Sequence, residues 1–265
     1  MAVRLTRETR FSLTADVPAD DEITNSWGGW PSVDTLAPYL QLRCTVAGEP
    51  EQPAGYACNV KSIDEAVRQF AIPAAARIYR ERGDSVLPGN LLEIMWEQLA
   101  PRMPEVAPLV SLELLATPML RYELQKDTLN MIRVTQQFEF SAAHRLHVEE
   151  LSTEENRDLF GKCNNENGHG HNYRLDVTVA QANEQAGPPL TLVNLERIVK
   201  RQVIDRFDHK HLNEDTEEFR TLNPTVENIA SVTWSLLADQ VTPATLEAVR
   251  VYETPKTWAE CRSDS

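Results

Sequence analysis

The sequence predicts an α+β protein in which one unit of strand, strand, helix, helix and strand occurs twice. Three observations carry that prediction. The chain matches itself in order: Leu42, Thr45, Val46 and Ala47 recur as Leu175, Thr178, Val179 and Ala180, Phe11-Ser12 as Phe140-Ser141, Trp96 and Leu99 as Trp234 and Leu237, and Thr117-Pro118 as Thr254-Pro255. Segments such as 132–140 and 173–180 carry β-branched and aromatic residues in partial alternation, the pattern of half-buried strands. Others space apolar residues at the helical period.

The second copy gives the clearer succession. Ile132 to Phe140 and Tyr173 to Ala180 read as strands, with Ser152-x-x-Glu155 between them as the capping box of a short helix, which makes Glu155 structural. Asn194 is placed to cap a helix running toward Phe207, with Leu195, Ile198 and Val199 on one face, and Asn59 stands before a helix of the first copy in the same way. Pro224-Thr225 opens the next helix, in which Val226, Ile229, Leu236 and Leu237 share a face, and Leu246 to Glu253 closes the unit as a strand. The expected domains are residues 1–127 and 130–265.

A chain of 265 residues is long enough for two such units, each with its own core. Its formal net charge of -14 argues against general binding to nucleic acid or membrane surfaces, which select basic patches. No apolar run approaches a membrane span, and Met1-Ala2-Val3-Arg4-Leu5-Thr6-Arg7 lacks the apolar core of a secretion signal, so a cytoplasmic protein is expected. The four cysteines, Cys44, Cys58, Cys163 and Cys261, show no close pairing and fit reduced thiols.

The chemistry sits in the second copy. His169 and His171 flank a glycine, and on an extended chain residues i and i+2 point to the same face, so both imidazoles can reach one ion. His144, upstream in Phe140-Ser141-Ala142-Ala143-His144-Arg145-Leu146, supplies a third. Three histidines with one open position are the ligand set of catalytic zinc, although imidazole also suits iron, nickel or copper. The plainer alternative is a chance His-x-His pair in a glycine-rich turn. Cys163 precedes the pair in a glycine- and asparagine-rich loop. No histidine occurs before His144, Ala15 stands at the position of His144, and Ala116 stands where the second copy has Glu253. Residues 1–127 therefore read as a duplicate that kept its packing and lost its chemistry.

Five segments in order carry a resemblance: Phe140 to Leu146, Gly161 to Tyr173, Phe207-Asp208-His209-Lys210-His211-Leu212, Pro224-Thr225-Val226-Glu227-Asn228 and Val251-Tyr252-Glu253-Thr254. The second half resembles the 6-pyruvoyltetrahydropterin synthase family, with the 6-carboxytetrahydropterin synthases of queuosine biosynthesis as near relatives. The resemblance implies the T-fold, an antiparallel four-stranded sheet backed by two helices, here in tandem and closing into a barrel on oligomerisation. It makes His144, His169 and His171 ligands of Zn2+, Cys163 the general base, Asp208 and His209 an acid/base pair, and Glu253 the acceptor for the pterin ring. Thr225 and Glu227 are further candidates for holding that ring, though both also suit the first turn of a helix.

The implied substrate is 7,8-dihydroneopterin triphosphate, whose elimination of triphosphate is a carbon–oxygen lyase reaction. Arg145, Lys162 and Lys210 are candidates for the phosphates, and Lys162 with the metal is expected to lower the pKa of Cys163. His211 has no expected role. Glu166 is either a second base that would broaden the products to side-chain cleavage or a solvent-facing loop residue. A carboxy-type synthase and a non-catalytic pterin-binding protein are the alternatives; a zinc hydrolase would need a His-Glu-x-x-His helix, which is missing from the sequence. The implied assembly is a homo-oligomer, preferably a homotrimer in which second halves form an active ring and first halves an inert one, with a dimer as the competitor. Asn25-Ser26-Trp27-Gly28-Gly29-Trp30-Pro31 either covers the site or packs a ring contact.

Overall fold

The structure, a computed structural model, describes residues 1–13, 39–83, 86–182 and 189–263. Ala15 and the Asn25–Pro31 loop lie outside the described residues. The chain divides into two compact units, one reaching to Val134 and including Ala182, the other running from Thr135.

The first unit comprises β1 (Val3–Ser12), β2 (Tyr39–Gly48), α1 (Val60–Ala66), α2 (Ile72–Arg82), α3 (Pro88–Leu99), β3 (Leu109–Thr117) and β4 (Leu120–Gln125). Its antiparallel strands follow the order β1-β2-β3-β4. Alternation along β2 sends Leu42, Cys44 and Val46 into the core, while α3 packs on β3 and β4 and α1 on β1. The other sheet face is a polar ladder: Thr6 meets Thr45 at 2.8 Å, and Arg43 bridges Glu8 at 3.0 Å and Glu113 at 2.8 Å. Asn59 caps α1 as expected, its side chain accepting from the Lys61 N–H at 3.0 Å.

The second unit comprises β5 (Met131–His144), α4 (Thr153–Phe160), β6 (His169–Ala182), α5 (Leu192–Val199), α6 (Asp205–Phe207), β7 (Lys210–His211), α7 (Leu212–Asp215), α8 (Val226–Leu237), β8 (Thr245–Thr254) and β9 (Thr257–Arg262). Its order is β5-β6-β8-β9, with β7 added in parallel beside Ala142 and Ala143 of β5. The capping box of α4 forms as read: Ser152 accepts from the Glu155 N–H at 3.2 Å, and Glu155 accepts from the Ser152 N–H at 2.8 Å.

Both units interrupt a helix with a π-helical turn, Val67–Ala71 between α1 and α2 and Lys200–Ile204 between α5 and α6. Both also shift register at corresponding residues. The β2/β3 pairing slips between Thr45 and Val46 and the β6/β8 pairing between Thr178 and Val179. The closing hairpins slip between Leu115 and Thr117 and between Tyr252 and Thr254.

Two expectations need correction. Thr191, not Asn194, caps α5: the Thr191 hydroxyl, on an extended residue three positions earlier, accepts from the Asn194 N–H at 3.2 Å, so Asn194 lies inside the first turn. The fourth strand of each sheet, which the resemblance implied and the residue pattern did not place, is β4 or β9, whose charged, half-exposed residues hide the alternation.

Candidate metal centre

His169 and His171 open β6 and His144 ends β5, its neighbour in the sheet. The period of two puts the first pair on one face, and one ring nitrogen from each of the three lies within 4.8 Å of the others. The Nε2 atoms of His144 and His169 are 3.2 Å apart. His144 is fully buried and donates from Nδ1 to the Pro224 carbonyl at 2.8 Å, which leaves its Nε2 lone pair facing the cluster. Burial pushes the pKa of His144 down to about 4 against the upward pull of that carbonyl, with the neighbouring imidazoles adding to the fall. His169 is pushed down too, by burial and then by His171. His171 Nε2 is buried without a hydrogen-bond partner. Three converging imidazoles, one of them with an orphaned ring nitrogen, are a donor set that fits a divalent metal ion.

A glycine lets the chain enter β6 at the right place. Gly168 has φ +67°, and a Cβ there would lie 2.5 Å from His211 Nε2 and 2.9 Å from the His144 carbonyl oxygen. His211, for which the sequence suggested no role, therefore packs against the turn before the ligand pair. It also lines an open cleft of about 500 Å³ together with Ser141, His171, Asn172, His209 and Lys210.

Asp208 and His209 form the expected pair, Oδ2 to Nδ1 at 2.8 Å. The Ser141 N–H donates to Asp208 Oδ1 at 2.8 Å and, with His209, holds the Asp208 carboxyl below its usual range. His209 has φ +57°, uncommon for a residue with a side chain, and its N–H donates to the Ser141 carbonyl at 2.6 Å. The imidazole stands exposed at the cleft.

Cys163 occupies a 3₁₀ turn, Gly161–Asn164, tied to the segment after His144: the Leu146 N–H donates to the Cys163 carbonyl at 2.8 Å and the Asn164 amide to the Leu146 carbonyl at 2.7 Å. Without a metal ion, its thiol is pushed up, by burial and then by the charge of Glu253. Lys162 is exposed, so water screens its charge. Glu253 places Oε1 3.5 Å from His144 Nε2 and 3.7 Å from His171 Nε2. Thr225 spends its hydroxyl capping α8, accepting from the Asn228 N–H at 3.3 Å, with Glu227 exposed in the first turn. Glu166 is exposed, and of the three phosphate candidates only Lys210 lines the cleft.

Sequence reasoning missed the asparagines that hold the segment after His144. Buried Asn156 accepts from the Val148 N–H at 2.8 Å and donates to the carbonyls of Val148, Leu151 and Ser152. Asn213 accepts from the Arg145 N–H at 2.9 Å and donates to its carbonyl at 3.0 Å. The only signal was a density of asparagines higher than turns require.

Residues 133–264, which contain every one of these site residues, match the family model described as 6-pyruvoyl tetrahydropterin synthase. The 6-pyruvoyl tetrahydrobiopterin synthase of Homo sapiens is 41% identical over 123 residues, covering 46% of this chain and 85% of that protein. The chain belongs to the 6-pyruvoyl tetrahydropterin synthase family. The synthase of the same description from Drosophila melanogaster is 40% identical over 125 residues, 46% of this chain and 74% of that protein. The 6-carboxy-5,6,7,8-tetrahydropterin synthase of Haemophilus influenzae is 26% identical over 154 residues, 49% of this chain and 98% of that protein. Among solved structures, Caenorhabditis elegans 6-pyruvoyl tetrahydropterin synthase matches with a TM-score of 0.47 at 38% identity, covering 51% of this chain and 96% of that one.

Proposed function

We propose that the chain is a zinc-dependent 6-pyruvoyltetrahydropterin synthase that eliminates triphosphate from 7,8-dihydroneopterin triphosphate. The observation that carries this reading is the convergence of His144, His169 and His171 beside a cleft that His209 also lines. The imidazoles of His144, His169 and His171 would hold a zinc ion, which when bound would supply the Lewis acidity that acidifies the C–H bonds beside the substrate's side-chain hydroxyls. Cys163 takes a proton from carbon, and triphosphate leaves with the electron pair of its C–O bond. Asp208 fixes the orientation of His209, and His209 exchanges protons with the substrate side chain. Glu253 accepts parallel hydrogen bonds from the amino-pyrimidinone edge of the pterin. Lys210 at the cleft meets the phosphates.

The first unit is, in this reading, a second copy of the same T-fold without a metal site; matched π-turns and matched register shifts support it. The working form is a homotrimer closing its sheets into a barrel, in the cytoplasm, and light scattering that gave two chains would sink the trimer.

The decisive experiment incubates zinc-loaded protein with 7,8-dihydroneopterin triphosphate and identifies products by mass spectrometry, alongside Cys163→Ala and Glu166→Gln. Triphosphate with 6-pyruvoyltetrahydropterin, lost in Cys163→Ala and retained in Glu166→Gln, is expected. A carboxy or hydroxymethyl product would reassign the pathway, and no turnover would leave a pterin-binding protein.

A further inference from the structure

His147 lies three residues beyond His144 and outside the histidine triad. Its ring meets the cysteine turn instead. The Asn164 amide nitrogen is 2.7 Å from the Leu146 carbonyl oxygen and 3.0 Å from His147 Nδ1. A carbonyl oxygen can only accept, so Leu146 fixes which end of the amide faces this way. With the nitrogen there, its hydrogens serve both acceptors, one of them His147 Nδ1. The network thereby assigns the tautomer of His147: Nδ1 carries the lone pair and Nε2 the proton.

That bond matters because the turn has no buried residue of its own to hold it. Gly161–Asn164 is a single 3₁₀ turn, an element whose internal hydrogen bonds are poor. Three hydrogen bonds tie it to the chain just after β5: the Leu146 N–H to the Cys163 carbonyl at 2.8 Å, and the two from Asn164. His147 is itself anchored. Its N–H donates to Asn223 Oδ1 at 3.3 Å, and the Asn223 carbonyl accepts from the Asn228 amide of α8 at 2.8 Å. By way of His147, the residue next to Cys163 is thus fastened to the start of α8.

We propose that His147 is a positioning residue for Cys163, its Nδ1 lone pair holding the cysteine turn, through Asn164, against the chain that follows β5. The proposal rests on the reading of Cys163 as the base and adds what keeps the thiol in place. A base must stand within hydrogen-bond reach of the proton it takes, and a displacement on the order of 1 Å can cost about a hundredfold in rate. The role needs an acceptor at the Nδ1 position, not an aromatic ring. That separates it from packing: phenylalanine keeps the ring and removes the acceptor, whereas asparagine loses the ring and puts Oδ1, likewise bonded to Cγ, where Nδ1 stood.

The test uses full-length, zinc-loaded protein and compares wild type with His147→Phe and His147→Asn. Turnover of 7,8-dihydroneopterin triphosphate gives kcat and KM, and iodoacetamide followed by peptide mass mapping gives the alkylation rate of Cys163 itself. His147→Phe is expected to lower kcat at least about tenfold with KM within about twofold of wild type. It should also raise the alkylation rate about threefold or more, because a released turn exposes the thiol. His147→Asn should bring both back toward wild type. Wild-type kinetics in His147→Phe, or an equal loss in the two variants, would overturn the role of His147 while leaving Cys163 as the base. A kcat loss with unchanged alkylation would overturn it too, because the turn would not have moved. Wild-type protein without turnover would instead overturn the reading of Cys163, and this role with it.

Discussion

The two units bend their strands at matched residues and break a helix with a π-turn in the same place, yet only the second brings histidines together. Where β8 carries Glu253 at its closing bulge, β3 carries Ala116. The comparison separates what holds the sheet from what makes the site. Alternating apolar residues such as Leu42 and Leu175 serve the sheet in both units. The site depends on polar fastenings around the histidine cluster of the second: Asn156, Asn213, the Pro224 carbonyl, and Gly168 against His211.

The sharpest way to break that comparison is to cut each unit where it is strongest. His169→Ala should lower metal affinity by more than about a hundredfold, since loss of a ligand exceeds the ten- to hundredfold cost typical of second-shell changes. Leu42→Ala, in the core of the first unit, should leave metal affinity unchanged while costing about 2–5 kcal/mol of stability. Calorimetric metal titration and urea unfolding read the two effects. An affinity loss in Leu42→Ala would show that the first unit is part of the site after all.

Acid sharpens the same contrast. In metal-free protein His144 titrates near 4 when folded, against an ordinary 6.5. Between those values the unfolded chain takes up a proton that the folded chain refuses, so stability falls as pH drops through this window and is unaffected above it. The loss at the acid end is on the order of 3 kcal/mol. His144→Gln should flatten that part of the profile, and urea midpoints between pH 7 and pH 4 check it; an unchanged slope would mean His144 is not the residue responsible. Asn156→Ala should cost about 2–3 kcal/mol at any of these pH values, because it strands buried backbone groups of the segment after His144.

These effects also mark how much the sequence could say. That His169 and His171 share a face was legible because a strand has a period of two, and the capping box because its two bonds are local. Asn156 was not: in Thr153–Phe160 it is one polar residue among several, and only the fold turns it inward. Thr191 and Asn194 are both good caps, and which one acts depends on where the extended chain stops. The thiol of Cys163 was read from Lys162 and an expected metal ion, while burial and then the charge of Glu253, which is distant in sequence, push it up in the fold. β4 and β9 escaped because the charges on their half-exposed residues mask the pattern that betrays a strand.

The smallest effect tests the residue that local and catalytic readings both claim. Thr225 caps α8 through its hydroxyl, and removing an N-cap costs about 1 kcal/mol. If capping is its whole role, Thr225→Ala should lower the urea midpoint and leave KM for the pterin triphosphate unchanged, and Thr225→Ser, which keeps the hydroxyl, should restore the stability. A raised KM with stability intact would place the hydroxyl on the substrate instead. Because Thr225 directly follows Pro224, whose carbonyl orients His144, loss of the cap can also loosen that imidazole. Metal affinity measured on the same variant separates that route: a fall in affinity restored by serine would show that the start of α8 helps to position His144 as well as to begin a helix.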